Sequence, residues 1–385
     1  MRMKTWLGVP FAGLLLIAAC GSDDDSGSDT TAAEGGGAAA GSLADVCPET
    51  VVFQTDWNPE AEHGQLYNMV GDGYEVDSST FRVSGALVSG GEDTGVKIEV
   101  RSGGPAIGFQ TVTSQLYADP DILLGYVSTD EAIQNSGEFP TKAVVAPFNI
   151  NPQIIMWDPA TYPDVKAIAD LKEPGAKVRY FGGAAYMDFL IQDGQLDKAQ
   201  TDGSYDGTPA NFVAAGGKDA QQGFASAEPY FYEKVLTDWG KPIAYQLIHD
   251  AGWTTYAQSL AATAENFEAN KDCFAALVPV IQQSQVDYIN DQTRADGIIL
   301  DLVEQYNNGW QYDEGQAKAS VELQLSNKLV ANSPDGTLGS FDMDRVTEFV
   351  ATAVPVYEAA GAKVKEGLTA DDLVTNEFVD PDISL

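Results

Sequence analysis

Apolar residues gather in short β-branched runs or alternate with polar ones over the first two thirds of the chain. In the last third they recur at helical spacing. Residues 51–55 (VVFQT) read as a strand. Asn58 as an N-cap with Pro59 at the first helical position predicts a helix over residues 60–70. The unit then repeats. Strands are expected at residues 96–100, 122–127, 143–146, 153–157, 177–181 and 243–249. Helices are expected over 106–117, 164–171 and 184–192, and 221–227 reads as turn-rich. Beyond Tyr256 the pattern is mainly helical, with apolar residues at i, i+3 and i+4 over 273–289 and 346–359. Strand–loop–helix repetition of this kind defines an α/β protein, whose ligands gather at the carboxyl ends of strands. Pro147 and Pro152 flank a polar stretch and mark a domain boundary there.

The first residues change the picture. Arg2 and Lys4 precede an apolar run over residues 6–19, and Ile17-Ala18-Ala19 leads directly into Cys20. A basic start and a short apolar run are the parts of a secretory signal. The run is shorter than the roughly 20 residues a membrane span needs. With a cysteine directly after small residues, it resembles a bacterial lipoprotein signal covering residues 1–19. That resemblance implies a lipidated Cys20 and anchoring to the outer face of the cell membrane. Residues 20–47 then read as a flexible acidic Gly/Ser/Ala tether, too poor in apolar groups to order itself.

The chain has 385 residues, 44% of them hydrophobic, which suffices for one large or two ordinary domains. Its net charge of −36 opposes binding to nucleic acid or anionic lipid. The same charge fits either attraction of cationic ligands or adaptation to a saline habitat, and the spread of acidic residues along the whole chain favours the second. Two histidines, with no Cys or His cluster, give no basis for a structural zinc site. Nothing in the sequence calls for a cofactor. Cys47 and Cys273 remain once Cys20 is lipidated, an even pair that forms either one disulfide or two separate thiols.

The segment Thr55-Asp56-Trp57-Asn58-Pro59-Glu60-Ala61-Glu62-His63-Gly64-Gln65-Leu66-Tyr67 resembles solute-binding proteins of ABC importers in the thiamine-pyrimidine precursor group. That group is related to nitrate, sulfonate and taurine binders. Further echoes are Gly103-Gly104-Pro105, Ser128-Thr129-Asp130-Glu131, Phe181-Gly182-Gly183, Glu228-Pro229 and Thr375-Asn376-Glu377-Phe378, so the resemblance spans residues 50–380. It implies a two-lobed periplasmic-binding-protein-like fold (type II) with two hinge strands. One lobe would hold residues 48–147 and 250–385, the other 148–249. It also implies a monomer that traps a small solute in the cleft between lobes and offers it to a membrane permease.

Asp56 and Trp57, after the first strand, stand where such a cleft lies. The indole can stack on a planar ring or sit in the core. The carboxylate can accept from ring nitrogens or an exocyclic amine, or help cap a helix. His63 is open to a ligand-facing or a structural role, and Tyr67 reads as core. Gly103-Gly104 and Gly182-Gly183 precede helices, where bare backbone N–H groups can meet a ligand, though plain turns also explain them. Tyr180, Tyr186, Glu228, Tyr230 and Tyr232 form an aromatic and acidic set in the second lobe. The candidate ligand-binding set is Asp56, Trp57, His63, Gly104, Ser128, Asn149, Tyr180, Gly183, Tyr186, Glu228 and Tyr230. If Asp56 and Glu228 both face the cleft, the site suits a neutral or cationic heterocycle rather than a sulfonate.

Other functions fit the sequence less well. Related pyrimidine synthases consume one of their own histidines, and His63 stands where that histidine would. Those enzymes resemble a cytosolic type with a cysteine-rich iron motif, which this chain lacks. A hydrolase finds no G-x-S-x-G elbow. A sensor lipoprotein on the same fold stays open. The expected function is binding without catalysis.

Overall fold

The computed structural model describes residues 43–385. The lipoprotein signal, Cys20 and most of the tether lie outside the described residues. The end of the expected tether belongs to the fold: Leu43–Asp45 form a 3-10 turn with Leu43 fully buried. Cys47 is disulfide-bonded to Cys273, 226 positions away, with the Cα atoms 4.6 Å apart.

Six strands come first: β1 (Thr50–Gln54), β2 (Glu75–Asp77), β3 (Arg82–Ser89), β4 (Glu92–Arg101), β5 (Ile122–Val127) and β6 (Thr141–Val145). Five more follow: β7 (Gln153–Trp157), β8 (Lys177–Arg179), β9 (Thr201–Asp202), β10 (Asp219–Phe224) and β11 (Ala244–Leu247). β12 (Ser259–Thr263) returns to the first group. The result is a mixed α/β architecture with two sheets, ordered β2-β3-β4-β1-β5-β12-β6 and β11-β7-β10-β8-β9. β1 pairs parallel with β4 and β5. All six residues of β5 are buried, as a strand covered on both faces requires. We call the part built on each sheet a lobe.

The chain crosses between the sheets twice, at residues 146–152 and 248–258. Arg345, on the helix Met343–Ala359, ties the crossings together. Its guanidinium donates to the carbonyl of Asn149 on one, and to those of Thr254 (3.0 Å) and Thr255 (3.1 Å) on the other. It also lies 3.8 Å above the Tyr256 ring.

Several local expectations are corrected. Residues 60–70 form a 3-10 turn (Ala61–His63) and a short helix (Gly64–Asn68) rather than one helix. Glu60 is fully extended (φ −159°, ψ 169°), so the helix cannot begin at Pro59. The Asn58 side chain accepts from Asn308 at 2.8 Å instead of capping. Helix 106–117 starts only at Val112, because Gly108 (φ +63°) and Phe109 (φ +58°) are left-handed. Residues 164–171 reduce to a 3-10 turn at Ile168–Leu171. The stretch read as turn-rich contains the central strand β10, and β12 lies inside the stretch read as helical.

Candidate functional site

The carboxyl end of β1 delivers Thr55, Asp56 and Trp57 to the face between the lobes. Gly103 makes room for that turn. Its N–H donates to the Trp57 carbonyl at 2.9 Å, and a Cβ there would lie 2.3 Å from the Thr55 carbonyl oxygen. Gly104 (φ +56°) lies against the indole, 2.7 Å from Cε3 to an added Cβ. This pair therefore serves close packing of backbone on Trp57, and the Gly103 N–H is already committed.

Asp56 is two-thirds buried and held from both sides. His63 Nε2–H donates to its Oδ1 at 2.9 Å, and Gln258 Nε2 donates to both oxygens at 3.0 Å. His63 is fully buried and stacked on Tyr126, with centroids 5.3 Å apart. Its structural reading therefore holds for Nε2. Gln258 comes from the second crossing and is left-handed at φ +50°, a costly conformation for a non-glycine residue. Three separated segments thus fix one carboxylate, leaving part of it open to the cleft.

Trp57 is the hub of an aromatic group. Phe109 lies 5.9 Å away, Trp310 6.3 Å and, from the second lobe, Phe181 6.5 Å between centroids. Phe109 is 60% exposed despite its size. Trp57 therefore touches both lobes and stands at the cleft rather than in the core.

Below it, Glu60 and Glu62 are buried on the first lobe. Glu62 accepts from Ser226 of the second lobe, a hydrogen bond that crosses the interface. Glu228 begins a short helix next to β10 and accepts from the Phe224 N–H at 2.6 Å. Burial, followed by the charge of Glu62, pushes the Glu228 carboxyl up to about 7. Burial is also the first cause of the rise at Glu60, Glu62 and Glu131, the last reaching about 7. Among the described residues no lysine or arginine pairs with Asp56, Glu60, Glu62 or Glu228.

The raised carboxyls set the pH dependence of stability. Each holds its proton more firmly folded than unfolded, so its contribution is complete below about pH 4.5 and is lost as pH rises through its folded value. The melting temperature is expected to fall between pH 5 and 8, and Glu228→Gln to flatten that fall. A melting temperature constant over this range in the parent protein would contradict the assignment.

The other candidates are distributed unevenly. Tyr186 is 3% exposed and donates to Gln222 at 2.8 Å inside the second lobe. Tyr180 packs edge-on against it. Gly183 (φ +91°) is exposed, with open space where a Cβ would be. Ser128 precedes the helix Thr129–Asn135 without capping it by its side chain. The Asn149 backbone is bound by Leu329 and Arg345 in the first crossing. The Tyr230 hydroxyl is seated over Gly315, where a Cβ would collide with it. Gln258, Glu60, Glu62, Ser226, Phe109 and Trp310 were not singled out by sequence. The run Asp56–His63 hinted only at the two glutamates.

A mixed α/β architecture with two sheets joined by two crossings matches the periplasmic-binding-protein fold of solved structures. The chain is similar to the periplasmic aliphatic sulphonate binding protein SsuA from Escherichia coli, with 15% identity and a TM-score of 0.53 over 82% of this chain and 89% of that one. A putative periplasmic sulfonate-binding protein from Methylobacillus flagellatus gives 16% identity and 0.52 over 86% and 92%. The alkanesulfonate-binding protein from Xanthomonas axonopodis, solved with MOPS, gives 15% and 0.50 over 85% and 99%. No protein-family model and no curated protein matches the sequence.

Proposed function

We propose that the chain is the extracytoplasmic solute-binding component of an ABC importer, anchored by lipid at Cys20 and acting as a monomer. Its solute is a small heterocycle bearing an amine or amidine, like the pyrimidine precursor of thiamine. The observation that carries this reading is the Asp56 carboxylate, oriented by His63 and Gln258 beside the Trp57 aromatic group. A protonated aminopyrimidine offers two adjacent N–H groups to one carboxylate, the strong bidentate arrangement. Its ring stacks on the indole. Sulfonate or nitrate would meet a cleft lined by carboxylates, which repel it. The lobes close over the solute by bending at the two crossings, and the closed form is offered to the permease.

His63 acts as the support of Asp56, so the solute is bound without turnover. The test is a thermal-shift and calorimetric screen of the full chain against 4-amino-5-hydroxymethyl-2-methylpyrimidine, riboflavin, taurine, methanesulfonate and simple amines. Aminopyrimidines are expected to raise the melting temperature. Trp57→Ala and Asp56→Ala are each expected to weaken binding about tenfold or more, the loss of a stacked ring or a charge-assisted pair. A shift with sulfonates alone would refute the heterocycle reading.

A further inference from the structure

Glu60 is a buried carboxylate that its surroundings leave unused. It is 7% exposed, yet among the described residues its side chain accepts no hydrogen bond. The nearest cationic group is the His63 ring, whose Nε2 lies 4.0 Å from Oε1 and already serves Asp56. The backbone on either side is fastened. Trp310 Nε1 donates to the Pro59 carbonyl at 3.1 Å, and the Ala61 N–H donates to the Tyr312 hydroxyl at 2.9 Å. The residue is therefore held extended and in place, while its functional group has no structural partner. Burying a carboxylate without a partner is costly, and a ligand donor that reached Glu60 would supply the missing partner.

The remaining neighbours point the same way. Glu60 faces Asp56 and Glu62 on its own segment and Glu228 across the interface. The Tyr67 and Tyr312 hydroxyls are close enough to feel its charge. Glu62 adds a second free acceptor: Oε2 is buried with no hydrogen-bond partner, while the carboxyl bonds Ser226 through the other oxygen. No positive side chain balances the group among the described residues.

We propose that Glu60 is a second carboxylate of the solute site and receives a cationic group of the solute at the floor of the cleft. The inference rests on the solute-binding reading above and deepens it, because it adds a second, otherwise unpartnered carboxylate that makes a positive charge on the solute a requirement for tight binding. Burial, followed by the charges of Glu62, Asp56 and Glu228, holds the Glu60 carboxyl well above the usual carboxylate range. That direction favours the protonated form of the carboxyl over the ionised one. When the cation enters, the O–H bond of Glu60 breaks, the proton leaves to solvent and the carboxylate pairs with the solute. Charge in the buried site is unchanged by the exchange. A neutral ring of the same shape has no means of driving it.

The test pairs the cation 1-methylnicotinamide with its neutral counterpart nicotinamide, titrated calorimetrically into the full chain at pH 7 in phosphate and in Tris. Wild type is expected to bind the cation at least tenfold more tightly and to release protons on binding it. Glu60→Gln is expected to lose most of that preference and most of the proton release, while keeping its affinity for nicotinamide. Equal binding of both probes by wild type, or an unchanged proton count in Glu60→Gln, would overturn the assignment and leave the solute-binding reading intact. Binding of neither probe would remove the cation class, and Glu60 with it. A second measurement needs no ligand: the melting temperature of Glu60→Gln relative to wild type is expected to rise from pH 5 to pH 8, because above the ordinary carboxyl value the unfolded wild-type chain gives up the Glu60 proton that the folded chain retains, and the variant has no such proton. A difference independent of pH would overturn the proposal as well.

Discussion

Arg345→Met is expected to lower the unfolding free energy by about 2–4 kcal/mol, the cost of leaving buried carbonyls of both crossings without donors. The guanidinium serves Asn149 on the first crossing and Thr254 and Thr255 on the second, and it covers the Tyr256 ring. Methionine keeps much of the side-chain volume, so the loss is one of hydrogen bonds rather than of packing. The expected signature is a lower urea midpoint with an unchanged denaturant slope. Because the same side chain joins the only two crossings between the sheets in the described chain, scattering should also show a broader spread between open and closed forms. A midpoint shift worth less than about 0.5 kcal/mol, the size of an ordinary surface substitution, would show that the clamp is ornamental.

The largest stability loss is expected from removing the Cys47–Cys273 bond. It closes a loop of 226 positions. In the chain-entropy account such a loop is worth about 5 kcal/mol, at the top of the usual range. The Cys47→Ser/Cys273→Ser variant should melt on the order of 5–10 °C lower. Wild type treated with a reductant should match it, and the variant should not respond to reductant at all. An equal melting temperature for oxidised wild type and the variant would mean that the bond does not form in the protein.

The frame of the fold was legible where a strand is buried on both faces. Ile122–Val127 and the apolar run 154–157 behind Gln153 read as buried strands, and the expected bounds agree with β5 and β7. β10 was missed because it is buried on both faces yet carries Gln221 and Gln222, one on each, in place of apolar residues. Their polarity is absorbed by partners such as the Tyr232 and Tyr186 hydroxyls, which no local pattern reveals. β12 was missed because Ser259, Ala261 and Ala262 are small and sit beside helical sequence. At the site, Asp56 and Trp57 followed from position after a strand. Gln258 did not, since it reaches Asp56 from 202 positions away. Glu60 was hidden by the expectation of a helix, in which it would have been one more solvated charge.

The bond from Cys47 to the helix Lys271–Asn290 also decides where mechanical load goes. A pull on any residue before Cys47 passes through the sulfurs into that long helix before it reaches β1. The strand that presents Asp56 and Trp57 begins only three positions later, and would otherwise be the first element to unzip. Strain relief ahead of β1 keeps the cleft geometry independent of whatever holds the start of the chain.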